Sequence, residues 1–138
     1  VPVGAFVLGK KVAETSLAPG DHGTTYGGNP FVCAAVSKVF DLYEKEQIVD
    51  HVQKVGAYLE EKLNALVDKY DFLKERRGKG LIQGLEVEGR PVGEIVNRAL
   101  EHGLIIITAG SNVLRFVPPL VITNADVDEM IKKLESCF

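Results

Sequence analysis

The segment from His22 to Pro30 carries the residue types from which an anion site can be built. It reads His-Gly-Thr-Thr-Tyr-Gly-Gly-Asn-Pro. Its glycines let the backbone approach a ligand closely, and the hydroxyls of Thr24 and Thr25 are hydrogen-bond donors. Asn29 followed by Pro30 predicts the start of a helix, where free N–H groups favour negative charge. The pattern indicates a site for a phosphate or another anion, with a simple turn between a strand and a helix as the alternative.

Arg115 is a charged residue inside an apolar run, Leu-Arg-Phe-Val-Pro-Pro-Leu, which extends from Leu114 to Leu120. In a strand its side chain alternates with those of Leu114 and Phe116, and a guanidinium among such neighbours needs an anionic partner. Its planar fork matches a carboxylate through two parallel hydrogen bonds. The run therefore predicts a carboxylate or phosphate ligand for Arg115, or else a structural ion pair or a position in water on an edge strand.

The elements that must position these residues follow from the hydrophobic periodicity. Helices are predicted over residues 30–46, about 48–70, from Pro91 to just before Gly103, and after a capping box at Thr123–Asp126. Short strands are predicted at 73–77, 80–87, 104–108 and 113–117, the last two as an antiparallel hairpin. A buried strand at 3–8 and a helical turn at 10–15 are expected before the glycine–threonine segment.

This order of elements predicts the α/β class. The elements from the 48–70 helix onward are expected to form a small domain with about four short, mainly antiparallel strands and helices packed on one face. The apolar stripe of the 48–70 helix predicts core packing, and the nearly continuous apolar stretch at 31–36 predicts that the preceding helix is buried in its first half. The basic run at 74–79 is interpreted as a solvated strand end or turn.

The composition is that of an ordinary globular domain and disfavours several classes of function. The 138 residues are 46% hydrophobic and 25% charged with a net charge of −3, whereas nucleic-acid binding calls for a concentrated basic face. No apolar run approaches the ~20 residues of a membrane span. Cys33, Cys137 and the three histidines lack metal-ligand spacing, which favours a reduced, cytoplasmic chain without a metal. The glycine run matches neither phosphate-loop nor dinucleotide motif, which disfavours a nucleotide-binding protein.

Three segments occur in a characteristic order and spacing: VPVGA at 1–5, GDHGTTYGGNP at 20–30 and RFVPPL at 115–120. Together they resemble the C-terminal part of the class III (subgroup II) pyridoxal-phosphate aminotransferases, and within them the acetylornithine aminotransferase group. The resemblance covers essentially the whole chain. It implies a fold-type I homodimer in which residues 1–47 end the large cofactor-binding domain and 48–138 form the small C-terminal domain.

The resemblance also implies roles for individual residues. In these enzymes the threonine matching Thr25, and with less weight that matching Thr24, contacts the phosphate of pyridoxal phosphate held by the other subunit. The arginine matching Arg115 binds the α-carboxylate of glutamate or 2-oxoglutarate. The implied amino donor is N2-acetylornithine, with ornithine, 4-aminobutyrate and succinylornithine as alternatives.

The catalytic lysine of the family forms a Schiff base with the cofactor and lies a few residues before the position that matches Val1. No residue of this sequence matches it, since Lys10 and Lys11 stand too far along the chain. The resemblance therefore implies that these 138 residues alone do not catalyse transamination. A non-catalytic dimerisation or regulatory module is the alternative from a different functional class.

Overall fold

Five helices and four strands make up the structure, a computed structural model that describes residues 1–138. The helices are α1 (Lys10–Thr15), α2 (Pro30–Lys45), α3 (Ile48–Lys69), α4 (Val92–Glu101) and α5 (Asn124–Glu135). The strands are β1 (Leu73–Lys79), β2 (Ile82–Val87), β3 (Ile107–Ala109) and β4 (Val113–Phe116). The chain separates into two units, Val1–Glu46 with α1 and α2, and Gln47–Phe138 with the remaining elements.

The second unit is built on a four-stranded antiparallel sheet with the strand order β1-β2-β4-β3. Strand β4 lies inside this sheet and is paired with β2 on one side and β3 on the other. Helices α3 and α4 pack on the strands, and α5 packs on α3. Their buried side chains join those of the sheet in one hydrophobic cluster, so the helices cover one face. The predicted α/β class, with four antiparallel strands and helices on one face, is confirmed.

Helix α3 supplies the largest share of this core. Leu59 and Leu63 are completely buried, and Val55 and Leu66 are nearly so, as the apolar stripe predicted. Helix α4 contributes Val92, Ile95 and Ala99, whereas Leu100 at its end is 62% exposed. The sheet meets these helices through buried residues of three strands: Leu73, Leu85, Val87, Leu114 and Phe116.

Local interactions end helix α4 and begin helix α5 as the sequence predicted. Gly103 has φ +71 and its N–H donates to the carbonyl of Leu100, while Leu104 N–H donates to the carbonyl of Ala99 (2.8 Å). At α5, Thr123 and Asp126 exchange backbone and side-chain hydrogen bonds in a capping box. The Thr123 backbone N–H and then its hydroxyl lower the pKa of the Asp126 carboxyl. These two ends fix the segments that lead into β3 and out of β4.

Three sequence-based expectations are wrong. Residues 3–8 form no strand and are exposed except for the half-buried Leu8, since no other segment of the first unit pairs with them. Helix α2 has no buried residue, and Phe31 is 74% exposed, because the first unit offers little apolar surface to pack against. The strand predicted at 104–108 begins only at Ile107, because the bond from Leu104 to the end of α4 keeps the chain away from β4 until then.

The structure contains neither clustered metal-binding side chains nor a helix that could cross a membrane. Cys33 is exposed and Cys137 is buried, and both are free thiols. No group of three or more His, Cys, Asp or Glu side chains is placed to hold a metal ion. None of the helices combines the length and the apolar content that crossing a membrane requires.

Gly56 in α3 lies against the turn between β1 and β2. A Cβ at this position would stand 2.9 Å from the carbonyl carbon of Gly80, which itself has φ +58. Helix and turn therefore approach each other through two residues that have no side chain. Gly93 in α4 differs, because a Cβ there would meet nothing within 4 Å.

These two glycines make a matched test of the packing. Gly56→Ala is expected to lower the free energy of unfolding by about 1–3 kcal/mol, because the new methyl group overpacks the turn. Gly93→Ala is expected to raise it by about 0.4–1 kcal/mol, because only the gain in helix propensity remains. Denaturant titration of both variants measures the difference. Equal stabilisation by the two alanines would contradict the close approach of α3 to the turn.

Candidate functional site

The glycine–threonine segment forms a loop that is tied to the start of α2. Asn29 is the N-cap: its Oδ1 accepts the N–H of Val32 (3.0 Å), and its Nδ2 donates to the carbonyl of Tyr26 (2.7 Å). A Cβ on Gly27 would collide with the methyl group of Thr24, so any larger residue there requires the Thr24 side chain to move. The loop therefore holds its threonines beside a capped helix N-terminus, as the sequence predicted for the helix start.

The hydrogen-bond donors of Thr25 in this loop are unused within the chain. Thr25 is exposed, and neither its hydroxyl nor its backbone N–H has a partner in the structure. The Thr24 Oγ1 accepts a long bond of 3.4 Å from the N–H of Tyr26 and is otherwise free. Free hydroxyl and amide donors near a helix N-terminus fit the acceptor oxygens of a phosphate. The residues present thus fit the phosphate of the cofactor that the resemblance implies.

Arg115 lies on the face of the sheet that the helices leave uncovered. Its neighbours Leu114 and Phe116 point into the core, so its own side chain points the opposite way and is exposed. It makes no ion pair and no side-chain hydrogen bond within the chain. Since β4 is an interior strand, Arg115 does not lie at the edge of the sheet.

The two cross-strand neighbours of Arg115 carry no charged side chain. Arg115 stands opposite Gly84 on β2 and opposite Ile107 on β3. A Cβ on Gly84 would lie 3.0 Å from Cγ1 of Val113, so even alanine is tight in this row. The guanidinium is therefore flanked by one residue without a side chain and one apolar residue. Nothing on either flanking residue competes with a bound carboxylate.

Three polar residues near Arg115 escaped the sequence analysis. Glu86 accepts a hydrogen bond from Arg77 Nη2 through Oε2 (2.7 Å) and one from Asn112 Nδ2 through Oε1 (3.0 Å). Arg77 stands opposite Gly84 on β1, in the same row as Arg115. The pairing register and the turn before β4 bring them together, and no local sequence pattern points to them.

Arg76 and Arg77 both belong to the basic run at 74–79 that was interpreted as solvated, but their environments differ. The side chain of Arg76 is only 15% exposed, and its Nη2 lies 2.6 Å from Oε1 of Glu60 on α3. It also donates to Asn64 (3.1 Å) and to Gln83 (2.9 Å), whose own amide donates to the turn before β2. The solvated interpretation is wrong for Arg76, because it points toward α3 and ties the sheet to that helix.

The contrast between Arg76 and Arg115 predicts different effects of the same substitution. Arg76→Met is expected to lower the free energy of unfolding by about 1.5–3 kcal/mol, because it leaves the partners of a charged hydrogen-bond network unpaired. Arg115→Met is expected to change it by less than about 0.5 kcal/mol, since no partner within the chain is lost. Denaturant unfolding of both variants measures this. A destabilising Arg115→Met would mean that Arg115 has a structural role.

Comparison with known proteins places this geometry in a family. The model of the class-III aminotransferases matches residues 1–138. The chain is similar to the acetylornithine aminotransferase of Gloeobacter violaceus, with 43% identity over 139 aligned residues that cover all of this chain and 34% of that protein. The chain thus spans about a third of the length of the curated relatives it matches.

Solved structures show the same relationship. The acetylornithine aminotransferase of Elizabethkingia anophelis superposes with a TM-score of 0.78 at 30% identity, covering 88% of this chain and 31% of that one. The ornithine aminotransferase of Toxoplasma gondii superposes with a TM-score of 0.76 at 33% identity, covering 87% of this chain and 30% of that one. The sequence and the fold agree, and the chain belongs to the class-III aminotransferases, a family whose cofactor is pyridoxal phosphate.

Proposed function

We propose that this chain is the C-terminal part of an enzyme that moves the terminal amino group of N2-acetylornithine to 2-oxoglutarate in arginine biosynthesis. Residues 1–47 would end its large cofactor-binding domain and 48–138 would be its small domain, in a cytoplasmic homodimer, as the resemblance implies. The observation that carries the proposal is the free guanidinium of Arg115 on the uncovered face of an interior strand. The family assignment favours an enzyme over a non-catalytic module.

Arg115 is assigned the carboxylate of the acceptor. Its strand is held by Leu114 and Phe116 in the core, so the guanidinium projects from a rigid base. The two parallel N–H groups of the fork match the two oxygens of a carboxylate, and neither Gly84 nor Ile107, its cross-strand neighbours, presents a charge that competes with one. Binding through this carboxylate orients 2-oxoglutarate so that its keto group, and not its distal carboxylate, faces the reacting centre.

Thr25 is assigned the phosphate of the cofactor held by the partner subunit. Its hydroxyl and backbone N–H are both free to donate, and Thr24 is given a secondary role, as the resemblance implies. Pyridoxal phosphate, when bound, supplies the electron sink for amino transfer. The loop anchors the end of the cofactor remote from the chemistry, which limits its movement when substrates exchange.

The amino donor is the part of the proposal that the fold supports least directly. Acetylornithine and ornithine aminotransferases superpose on this chain with TM-scores of 0.78 and 0.76, so the backbone does not separate them. The sequence relatives support N2-acetylornithine, because acetylornithine aminotransferases match the chain at 43% and 41% identity. We also propose that these 138 residues are inactive alone. Lys10 and Lys11 lie on the short exposed helix α1 and match no lysine position of the family.

The test follows the two half-reactions separately in the full-length protein loaded with pyridoxal phosphate. The visible absorbance of the cofactor is expected to change fastest with N2-acetylornithine among the four candidate donors. In Arg115→Ala this donor step is retained, while the step with 2-oxoglutarate weakens by about 2–5 kcal/mol in transition-state free energy, because a paired charge is lost. Stopped-flow absorbance measures both steps.

A matched control for this test is Lys79→Met, which removes an exposed cation from β1. It is expected to leave both half-reactions unchanged. Equal loss of both half-reactions in Arg115→Ala would contradict the role of Arg115. Absence of any absorbance change with all four donors would contradict the proposed reaction.

The phosphate role of Thr25 has its own test. Thr25→Val keeps the shape of the side chain but removes the hydroxyl, so we expect the dissociation constant of pyridoxal phosphate to rise roughly tenfold or more, the loss of a hydrogen bond to a charged group. Thr24→Val is expected to have the smaller effect. Equilibrium dialysis of the full-length protein measures the constant. A larger effect at Thr24 would reverse the assignment.

A further inference from the structure

We propose that His51 on α3 is a positioning residue: it holds the exit segment, Val117–Ile122, and thereby fixes the end of the strand that carries Arg115. This inference rests on the proposed function, in which Arg115 binds the carboxylate of the acceptor. It is carried by a hydrogen bond between residues 71 positions apart, in which Nε2 of His51 lies 2.8 Å from the carbonyl oxygen of Ile122. Because a carbonyl oxygen can only accept, Nε2 of His51 carries the hydrogen and donates it.

Arg115 lies close to the point where the pairing of β4 stops. On the β3 side, the pair of Arg115 with Ile107 is the last one in the direction of the exit segment. On the β2 side, only the pair of Gln83 with Phe116 follows. The ends of a paired segment open more easily than its middle. The placement of the Arg115 backbone therefore depends on what restrains the chain just after Phe116.

The exit segment has few restraints of its own. None of its side chains is fully buried. Pro118 and Pro119 have no backbone N–H to donate, and the bond from the N–H of Ile122 to the carbonyl of Pro119 (3.3 Å) stays within the segment. A cavity of about 330 Å³ lies between the segment, the chain that leads into β3, and α5. The bond from His51 is therefore the one hydrogen bond that joins the exit segment to another element.

His51 acts from a part of α3 that is itself well fixed. It lies in the first turn of the helix and is half-buried. Val55 and Leu59, one and two turns further on, anchor this helix in the hydrophobic core. The capping box at Thr123 acts within α5, so it does not replace the bond that joins Ile122 to α3. Loss of the His51 donor would thus release the exit segment while leaving the core of the domain unchanged.

The experiment uses the full-length holoenzyme and glutarate, a dicarboxylate that has no keto group and therefore cannot accept an amino group. His51→Leu removes the donor and keeps a side chain of similar size. It is expected to raise the dissociation constant of glutarate roughly three- to tenfold, which is at most the strength of one hydrogen bond. The Michaelis constant for 2-oxoglutarate rises in parallel, while the step with the amino donor is unchanged. Calorimetric titration and stopped-flow absorbance measure these effects.

Two further variants separate positioning from a general loss of structure. His51→Gln keeps an N–H donor at a similar reach and is expected to restore glutarate binding. His102→Leu is the matched control, because Nδ1 of His102 lies 2.8 Å from the carbonyl oxygen of Arg98 at the end of α4. It loses a bond of the same kind and length that restrains no strand, so glutarate binding is expected to stay unchanged.

Hydrogen exchange followed by mass spectrometry reports on the exit segment directly. A peptide that contains Val117–Ile122 is expected to exchange faster in His51→Leu than in the native holoenzyme, and at the native rate in His51→Gln. Unchanged exchange in His51→Leu would show that the bond does not restrain the segment, and the inference would be wrong.

Three results of the binding series would also overturn the inference: unchanged binding in His51→Leu, no recovery in His51→Gln, or an equal loss in His102→Leu. Arg115→Ala in the same series identifies which proposal has failed. If it weakens glutarate binding while His51→Leu does not, only the positioning role of His51 fails. If it leaves glutarate binding unchanged, the carboxylate role of Arg115 fails as well.

Discussion

The alternation of side chains along β4 is the constraint on which the second unit depends. Leu114 and Phe116 are almost completely buried, so the residue between them must point away from the helices. A slip of one residue in register would place the Arg115 guanidinium in the core and the apolar side chains in water. Both changes would lower the free energy of unfolding. The hydrophobic core therefore fixes the direction of a charged group as well as the stability of the unit.

Three arginines of this one sheet show how register decides what a residue type does. Arg76 points toward α3 and pairs there with Glu60 and Asn64, so its charge joins the sheet to that helix. Arg77 is the next residue, points to the opposite face and pairs with Glu86. Arg115 shares that face but has no partner within the chain. The same guanidinium thus joins helix to sheet, restrains a carboxylate or remains available, according to the row and face it occupies.

The features that were predictable from sequence depend on interactions within a few residues. Such features are the apolar stripe of α3, the capping box at Thr123, the glycine that ends α4 and the hairpin of β3 and β4. The motifs that carry the family resemblance are likewise contiguous segments. The strand expected at 3–8 was wrong because a strand needs a partner that its own sequence does not specify. The surroundings of Arg76 and Glu86 follow from cross-strand register, which no local pattern determines.

Gly84 is a position at which the surroundings of Arg115 can be changed by substitution. Gly84 stands in the row of Arg115 and lacks a side chain, so a substitution there places the first side-chain atoms of β2 opposite Arg115. The methyl group of an alanine would have to be accommodated by Val113, a half-buried neighbour on the same face, and not by the hydrophobic core. Acceptor size could therefore be tuned at this pair of positions while the packing that holds β4 in place stays intact.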